Sequence, residues 1–266
     1  MLWINVIIMG SFKTKYGLLV KAFGFTLTLL IIRLVFDYFK IDILSVTNLI
    51  SAFIGGAIFT IAIIFTGTFT DYKESEKIPG EIVTSVRTLY SDLNLVRVKN
   101  MASIPGMQNN VAALLRCINQ NFRDNTWNLD AMDDAIDAVT RDISTLVDEG
   151  VPPNFIIKLK SELTVIDRLS HRVKTIAETS FIPAAYAISE LAAAGVIIIL
   201  LFVKLDPFYE GLALFTVLTM LLIALLLLIK DMDNPFGVGQ NTYADVDLFL
   251  LWDLEKKLDE KTGYQK

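Results

Sequence analysis

Residues 43–69 read ILSVTNLISAFIGGAIFTIAIIFTGTF, an unbroken run without a charged side chain, and residues 71–79 that follow read DYKESEKIP. About 20 mostly apolar helical residues cross the hydrocarbon of a bilayer, so the first run is long enough to span it. The abrupt return of charge marks where the chain meets water again. Three further windows are long enough and mostly apolar, at 16–36, 181–203 and 208–229; the first is the weakest, because Lys21 and Arg33 lie inside it, though both are close enough to an end to snorkel toward the headgroups. The expected fold class is an all-α membrane protein with four transmembrane helices and a helical cytoplasmic domain inserted between spans 2 and 3. The expected divisions are 1–70 for the N-terminal segment and spans 1 and 2, 71–180 for the cytoplasmic domain, 181–230 for spans 3 and 4, and 231–266 for a cytoplasmic tail.

Composition agrees with this division. Mean hydropathy is +0.52 and 53% of residues are hydrophobic, yet 20% are charged, so charge and apolar surface are segregated along the chain. The net charge of −5 comes without a basic stripe interleaved with aromatics, which excludes nucleic acid as a partner. A single cysteine, Cys117, excludes an internal disulfide framework and a cysteine metal site, and fits a reducing compartment. Its simplest role is that of a small residue on a helix face. Met1 to Gly10 is apolar but lacks a basic start, and Lys13 and Lys15 follow it in place of a small-residue cleavage site, so a signal peptide is not expected.

Lysine and arginine cluster on one side of the spans. Lys13, Lys15 and Lys21 stand at the start of span 1, Lys73 and Lys77 follow span 2, Arg168, Arg172 and Lys174 precede span 3, and Lys230 follows span 4. Arg33, Lys40 and Lys204 are on the other side. The positive-inside rule then puts both termini and the central domain in the cytoplasm. The two outer loops are too short for a folded receptor domain. Within the central region, Ile82, Val86, Leu89, Leu93 and Val96 repeat at helical spacing, which predicts that span 2 continues as one long helix with a step near Pro79 and Gly80. Val111 to Ile118, Leu129 to Leu146 and Ile156 to Ile176 predict three more helices, separated by Pro105–Gly106 and by Gly150, Pro152 and Pro153.

Enzymatic motifs are missing: no metalloprotease spacing, nucleophile elbow or phosphate loop accompanies the one histidine, His171, which reads as a solvated helix residue. Asp130, Asp133, Asp134 and Asp137 read as a solvated helix face, since a hard cation needs oxygen ligands converging from a loop. Neither a catalytic residue, a metal nor a cofactor is expected. Ionisable groups at membrane depth are costly and point to function. Glu190 lies about three turns into span 3, beside the small residues Ala192 to Gly195, and reads either as a hydrogen-bonding partner of another helix or as part of a pore or proton path. Arg33 reads as a headgroup anchor, or as an attractor of anions at an outer mouth. On span 2, Asn48, Ser51, Gly55, Phe59, Ala62 and Thr66 form one polar and small stripe, suited to a neighbouring helix or to a water path. Four spans are few for enclosing such a path, so a pore would form on the axis of a ring of identical subunits.

Two segments carry a resemblance. Asp71-Tyr72-Lys73-Glu74-Ser75-Glu76-Lys77-Ile78-Pro79 begins the extension of span 2, and Asp231-Met232-Asp233-Asn234-Pro235-Phe236-Gly237 follows span 4. Together with the four-span layout they resemble the bestrophin superfamily, in its bestrophin-like prokaryotic branch. The Asn-Pro-Phe-Gly stands where bestrophins place it after their last membrane helix. The resemblance implies a pentameric ion channel whose second span lines a central pore and forms a hydrophobic neck. Gly56 matches the neck glycine of the family, which puts Leu49, Phe53 and Ala57 at neck positions, with Phe59 and Thr60 beside them; Ala57 departs from the bulky residue usual there. The acidic cluster that clasps calcium in animal bestrophins is replaced by Val238, Gly239, Gln240, Asn241 and Thr242, which leaves Asn234, Asp245 and Asp247 as a weak oxygen set, so calcium gating is not expected.

The reading is therefore an oligomeric, pentameric, bestrophin-like channel passing small inorganic ions passively across the cytoplasmic membrane, with the lipid bilayer and further copies of itself as partners. The competing reading is a non-conducting scaffold or signalling protein whose cytoplasmic helices dock a partner. A transporter is weakened by the lack of inverted repeats or paired broken spans.

Overall fold

The computed structural model describes residues 2–96, 103–179, 182–237 and 243–264, with side chains from residue 16 onward. Helices account for most of them: α1 (Leu2–Tyr38), α2 (Asn48–Ser75), α3 (Ile78–Leu93), α4 (Ile104–Asp124), α5 (Leu129–Asp148), α6 (Pro153–Glu178), α7 (Pro183–Phe202), α8 (Phe208–Met232) and α9 (Phe249–Thr262). Four are long and apolar enough to cross a bilayer: α1 from Tyr16, α2, α7 and α8. The protein is a multi-pass, all-helical membrane protein, as its four charge-poor windows predict.

Local chemistry sets the breaks. Thr47 Oγ1 accepts the Ile50 N–H at 3.3 Å and so caps α2. The step expected near Pro79 and Gly80 falls slightly earlier: α2 stops at Ser75, and Pro79 occupies the first turn of α3, where its missing N–H costs nothing. Asn128 caps α5, its Oδ1 accepting from the N–H groups of Asp130 and Ala131. Asn125 closes α4 at φ +51° and Gly150 follows α5 at φ +82°, conformations that favour asparagine and glycine.

The chain forms two compact units. One comprises Met1–Tyr72, Ser180–Asn234 and Asn241–Ala244, the other Lys73–Thr179, Pro235–Gln240 and Asp245–Lys266. The first holds the four apolar helices, with a core in which Ala57 and Ile61 of α2 meet Ala193 and Val196 of α7 and Leu222 and Ile229 of α8. The second, polar on its surface, buries one stripe from each of its helices: Ile82, Val86 and Leu89 from α3, Leu115, Ile118 and Phe122 from α4, Met132 and Leu146 from α5, Leu159, Ile166 and Val173 from α6. Each large apolar side chain buried there is worth about 1.5–3 kcal/mol.

The last of these helices, α9, is one the sequence reading leaves undescribed inside a tail. It buries Leu251, Leu254 and Leu258 and is fixed to α4 by polar pairs. Asn119 Nδ2 donates to Glu255 Oε2 at 2.6 Å and to the Leu251 carbonyl at 3.2 Å, Arg123 donates to the same carboxylate, and Arg116 meets Asp259 at 2.7 Å. Glu255 is 5% exposed, a charge buried with its partners.

Candidate pore face and membrane-depth charges

Helix α2 is the least buried of the four apolar helices: 11% of its most apolar window is buried, against 17% for α1 and 22% for α7 and for α8. One side of it, through Ala57 and Ile61, belongs to the core of the membrane unit. The rest is bare. Asn48, Leu49, Phe53, Gly56 and Phe59 are exposed and Thr60 is half-buried. The polar stripe of Asn48, Ser51, Gly55, Phe59, Ala62 and Thr66 is exposed along its whole length. The stripe and the neck positions therefore share one broad open surface. Ala57 is the exception: at 7% exposure it packs inside the protomer and does not line that surface. It belongs instead to the buried cluster with Ala193 and Val196 of α7.

The threonines of this helix donate their hydroxyls inward, Thr60 to the Gly56 carbonyl at 2.9 Å and Thr66 to the Ala62 carbonyl at 2.8 Å. Phe53 leans on α7, where a Cβ added at Gly195 would stand 3.0 Å from its ring. Gly195, within the small-residue patch beside Glu190, is thus the seat of an aromatic side chain of α2.

Arg33 corrects its sequence reading. It is not a snorkelling anchor: it is fully buried, and its guanidinium donates to the carbonyls of Leu201 at 3.0 Å and Val203 at 2.9 Å, with Asp42 at 3.9 Å. The last carbonyls of a helix lack intrahelical donors and carry the negative end of its dipole, so a cation there both satisfies and complements them. The short connections close the same end. Leu44 N–H donates to the Phe202 carbonyl at 3.0 Å, Lys204 N–H to the Leu44 carbonyl at 2.8 Å, and the Phe36 and Phe202 rings lie 5.1 Å apart.

At the other end of the membrane unit, Tyr186 Oη donates to Asp233 Oδ1 at 2.7 Å. Asp231 Oδ2 accepts the N–H groups of Tyr243 and Ala244 at 2.6 and 2.7 Å, and Lys21 Nζ lies 4.7 Å from the centre of the Tyr243 ring. Gly17 makes room for that ring, which any Cβ there would overlap. Asp231 and Asp233 belong to the motif that follows span 4, but their partners carry no local signal: Tyr186 lies 47 residues before Asp233, and Asp231 is met by backbone N–H groups 12 and 13 residues on. Glu190 sits one turn beyond Tyr186 on α7 and is exposed. It makes no ion pair among the described residues.

The Asn-Pro-Phe-Gly segment is structural in its visible contacts. The Pro235 carbonyl accepts the Val246 N–H at 2.8 Å, and Phe236, 3% exposed, packs 5.8 Å from Phe122, which in turn meets Trp127 edge-on at 4.8 Å. Gly237 is buried, and the Asn234 side-chain oxygen is buried with no hydrogen-bond partner among the described residues. Asp247 accepts the Phe249 N–H at the start of α9. Elsewhere in the polar unit, Asp133, Asp167 and His171 place their donor atoms within 4.8 Å of one another on half-exposed helix faces, His171 lying 3.3 Å from Asp167.

A four-span helical membrane unit with a helical polar unit, closed by a segment that returns after the last span, defines a fold. Solved structures share it. A bacterial bestrophin homolog from Klebsiella pneumoniae superimposes with a TM-score of 0.74 at 14% identity, over 93% of this chain and 99% of that one. A single-residue variant of that homolog gives a TM-score of 0.75 at 14% identity, over 90% and 98% of the two chains. A variant of a protein described as a membrane protein gives 0.75 at 13% identity, over 92% and 99%. The chain has the bestrophin fold. No protein-family model matches the sequence, and a search of curated proteins finds no match.

Proposed function

We propose that the chain is one subunit of a pentameric channel of the bestrophin type, passing small ions passively along an axis lined by α2. The open face of α2 is the observation that carries this reading. A helix that spends its polar and small residues on the side its own chain leaves bare gains nothing from lipid there, but is satisfied by water on a ring axis. Leu49, Phe53 and Phe59 on that face supply the apolar constriction by which such pores gate through dewetting. Asn48 and Ser51 supply hydrogen-bonding groups beside it. The lysine and arginine bias of the loops orients the subunit with both termini and the polar unit in the cytoplasm, so the ring sits in the cytoplasmic membrane. The likeness of fold to bestrophin homologs supports the same assembly.

The test is current through planar bilayers holding the purified protein, in asymmetric salt. Discrete steps are expected, with a reversal potential that assigns anion or cation preference, and Phe53→Ala or Phe59→Ala raises the open fraction or the conductance. Silence from the parent protein and from both alanine variants, all demonstrably oligomeric, would replace the channel with a non-conducting scaffold whose α2 only packs helices.

A further inference from the structure

Two independent sets of contacts, one at each end, fix how α1 and α7 are aligned. At the short-loop end Phe36 meets Phe202 and Arg33 reaches Leu201 and Val203. At the other end Gly17 holds Tyr243, Tyr243 is bound by Asp231, and Asp233 near it is bound by Tyr186. Both alignments place Lys21 of α1 and Glu190 of α7 within about one helical turn of the same depth. That depth is one turn inside the belt formed by Tyr186, Asp231, Asp233 and Tyr243. Both side chains are exposed on the isolated protomer and they do not pair within it.

A carboxylate exposed on a span is expensive in lipid, and such groups face other helices or water. The face around Glu190 is also cut back: Ala187 and Ala194, one turn to either side, are exposed with it, which allows another helix to come close. Lipid gains nothing from such a face. Among the lysines at this depth, Lys230 shares its turn with Asp231 and Asp233, whereas Lys21 is met by the face of an aromatic ring. We propose that Glu190 of one protomer pairs with Lys21 of the next, so that each boundary between neighbouring copies carries one ion pair that a single chain cannot complete. This rests on the ring assembly proposed above and adds to it the surface by which copies meet: α7 of one against α1 of its neighbour.

The test uses the full chain with Cys117→Ser, in two differently tagged forms expressed together, one carrying Lys21→Cys and the other Glu190→Cys. Mild oxidation is expected to join the two tags in one disulfide-linked pair. A separate charge exchange checks the energetics: Lys21→Glu or Glu190→Lys alone weakens assembly on the order of tenfold, and the double exchange restores it. The inference is overturned if Glu190→Cys joins Lys230→Cys in its place, or if the double exchange fails to restore assembly. It is also overturned if no mixed pair forms while Phe59→Cys, on the α2 face, links the copies, an outcome that leaves the ring standing. A chain that is monomeric without any substitution would instead remove the ring itself, and this inference with it.

Discussion

Replacing Arg33 by leucine tests whether the clasp at the short-loop end holds the membrane unit together. The guanidinium is fully buried and makes two charge-assisted hydrogen bonds, to the carbonyls of Leu201 and Val203, with Asp42 nearby. Hydrogen bonds to a charged group are worth about 1.5–3 kcal/mol each, so the pair is worth about 3 kcal/mol at the lower end of that range. Leucine fills much of the space but leaves both carbonyls at the end of α7 without a donor and Asp42 without its cation. At roughly 2–4 °C per kcal/mol for a domain of this size, the melting midpoint falls by about 6 °C or more. Thermal unfolding of the detergent-solubilised protein, followed by helical circular dichroism, reads this directly. Arg33→Lys should fall between the two, since an ammonium keeps the charge but not the planar fork that reaches two carbonyls. A leucine variant melting within about 1 °C of the parent would refute the clasp and return Arg33 to the membrane surface.

Other outcomes follow from the polar unit. Phe236→Ala empties a site packed on Phe122, and should destabilise that unit by about 3–5 kcal/mol and shift the emission of Trp127, which rests on the same ring, as measured by denaturant titration with tryptophan fluorescence. Burial raises the carboxyl pKa of Asp142, against the opposing effects of Asn110 and Arg141. A raised folded-state pKa contributes stability below the unfolded value and loses it as pH rises through the folded one, so at neutral pH this carboxylate is a cost. Asp142→Asn, which can still accept from Asn110, should therefore melt higher than the parent at pH 7 and no higher at pH 3, and an advantage of equal size at both would refute the assignment. Burial also raises the Cys117 thiol, so maleimide labelling at neutral pH should be several-fold slower than that of a free thiol and reach the free rate only on unfolding.

The four spans were legible because each is a long run of side chains that water rejects, and the helices of the polar unit because their apolar positions recur at helical spacing before glycine or proline. Helix α9 was not, since Leu251, Leu254 and Leu258 form only a short stripe in a charged segment, and its place depends on Asn119 and Arg123, more than a hundred residues earlier. The bare face of α2 could be read as polar, but polarity alone did not show that Leu49 and Phe53 share it; that depends on where α7 and α8 cover the helix. Arg33 was misread for a related reason. Sequence places an arginine near the end of a span, and only the fold reveals that the end of α7 lies beside it with carbonyls to fill.

The interleaving of the two units has a consequence for how the protein is made. The polar unit takes its first helices from between spans 2 and 3 and its last, α9, from beyond span 4. A ribosome delivers α3 to α6 while the final two spans are still unsynthesised, so Asn119, Phe122 and Arg123 must wait without Phe236 and Glu255 until every span has been made. Completion of the polar core is thereby a late event, coupled to finished insertion. A nascent chain stalled before α9 should be distinguishable by its sensitivity to protease in the segment 104–124.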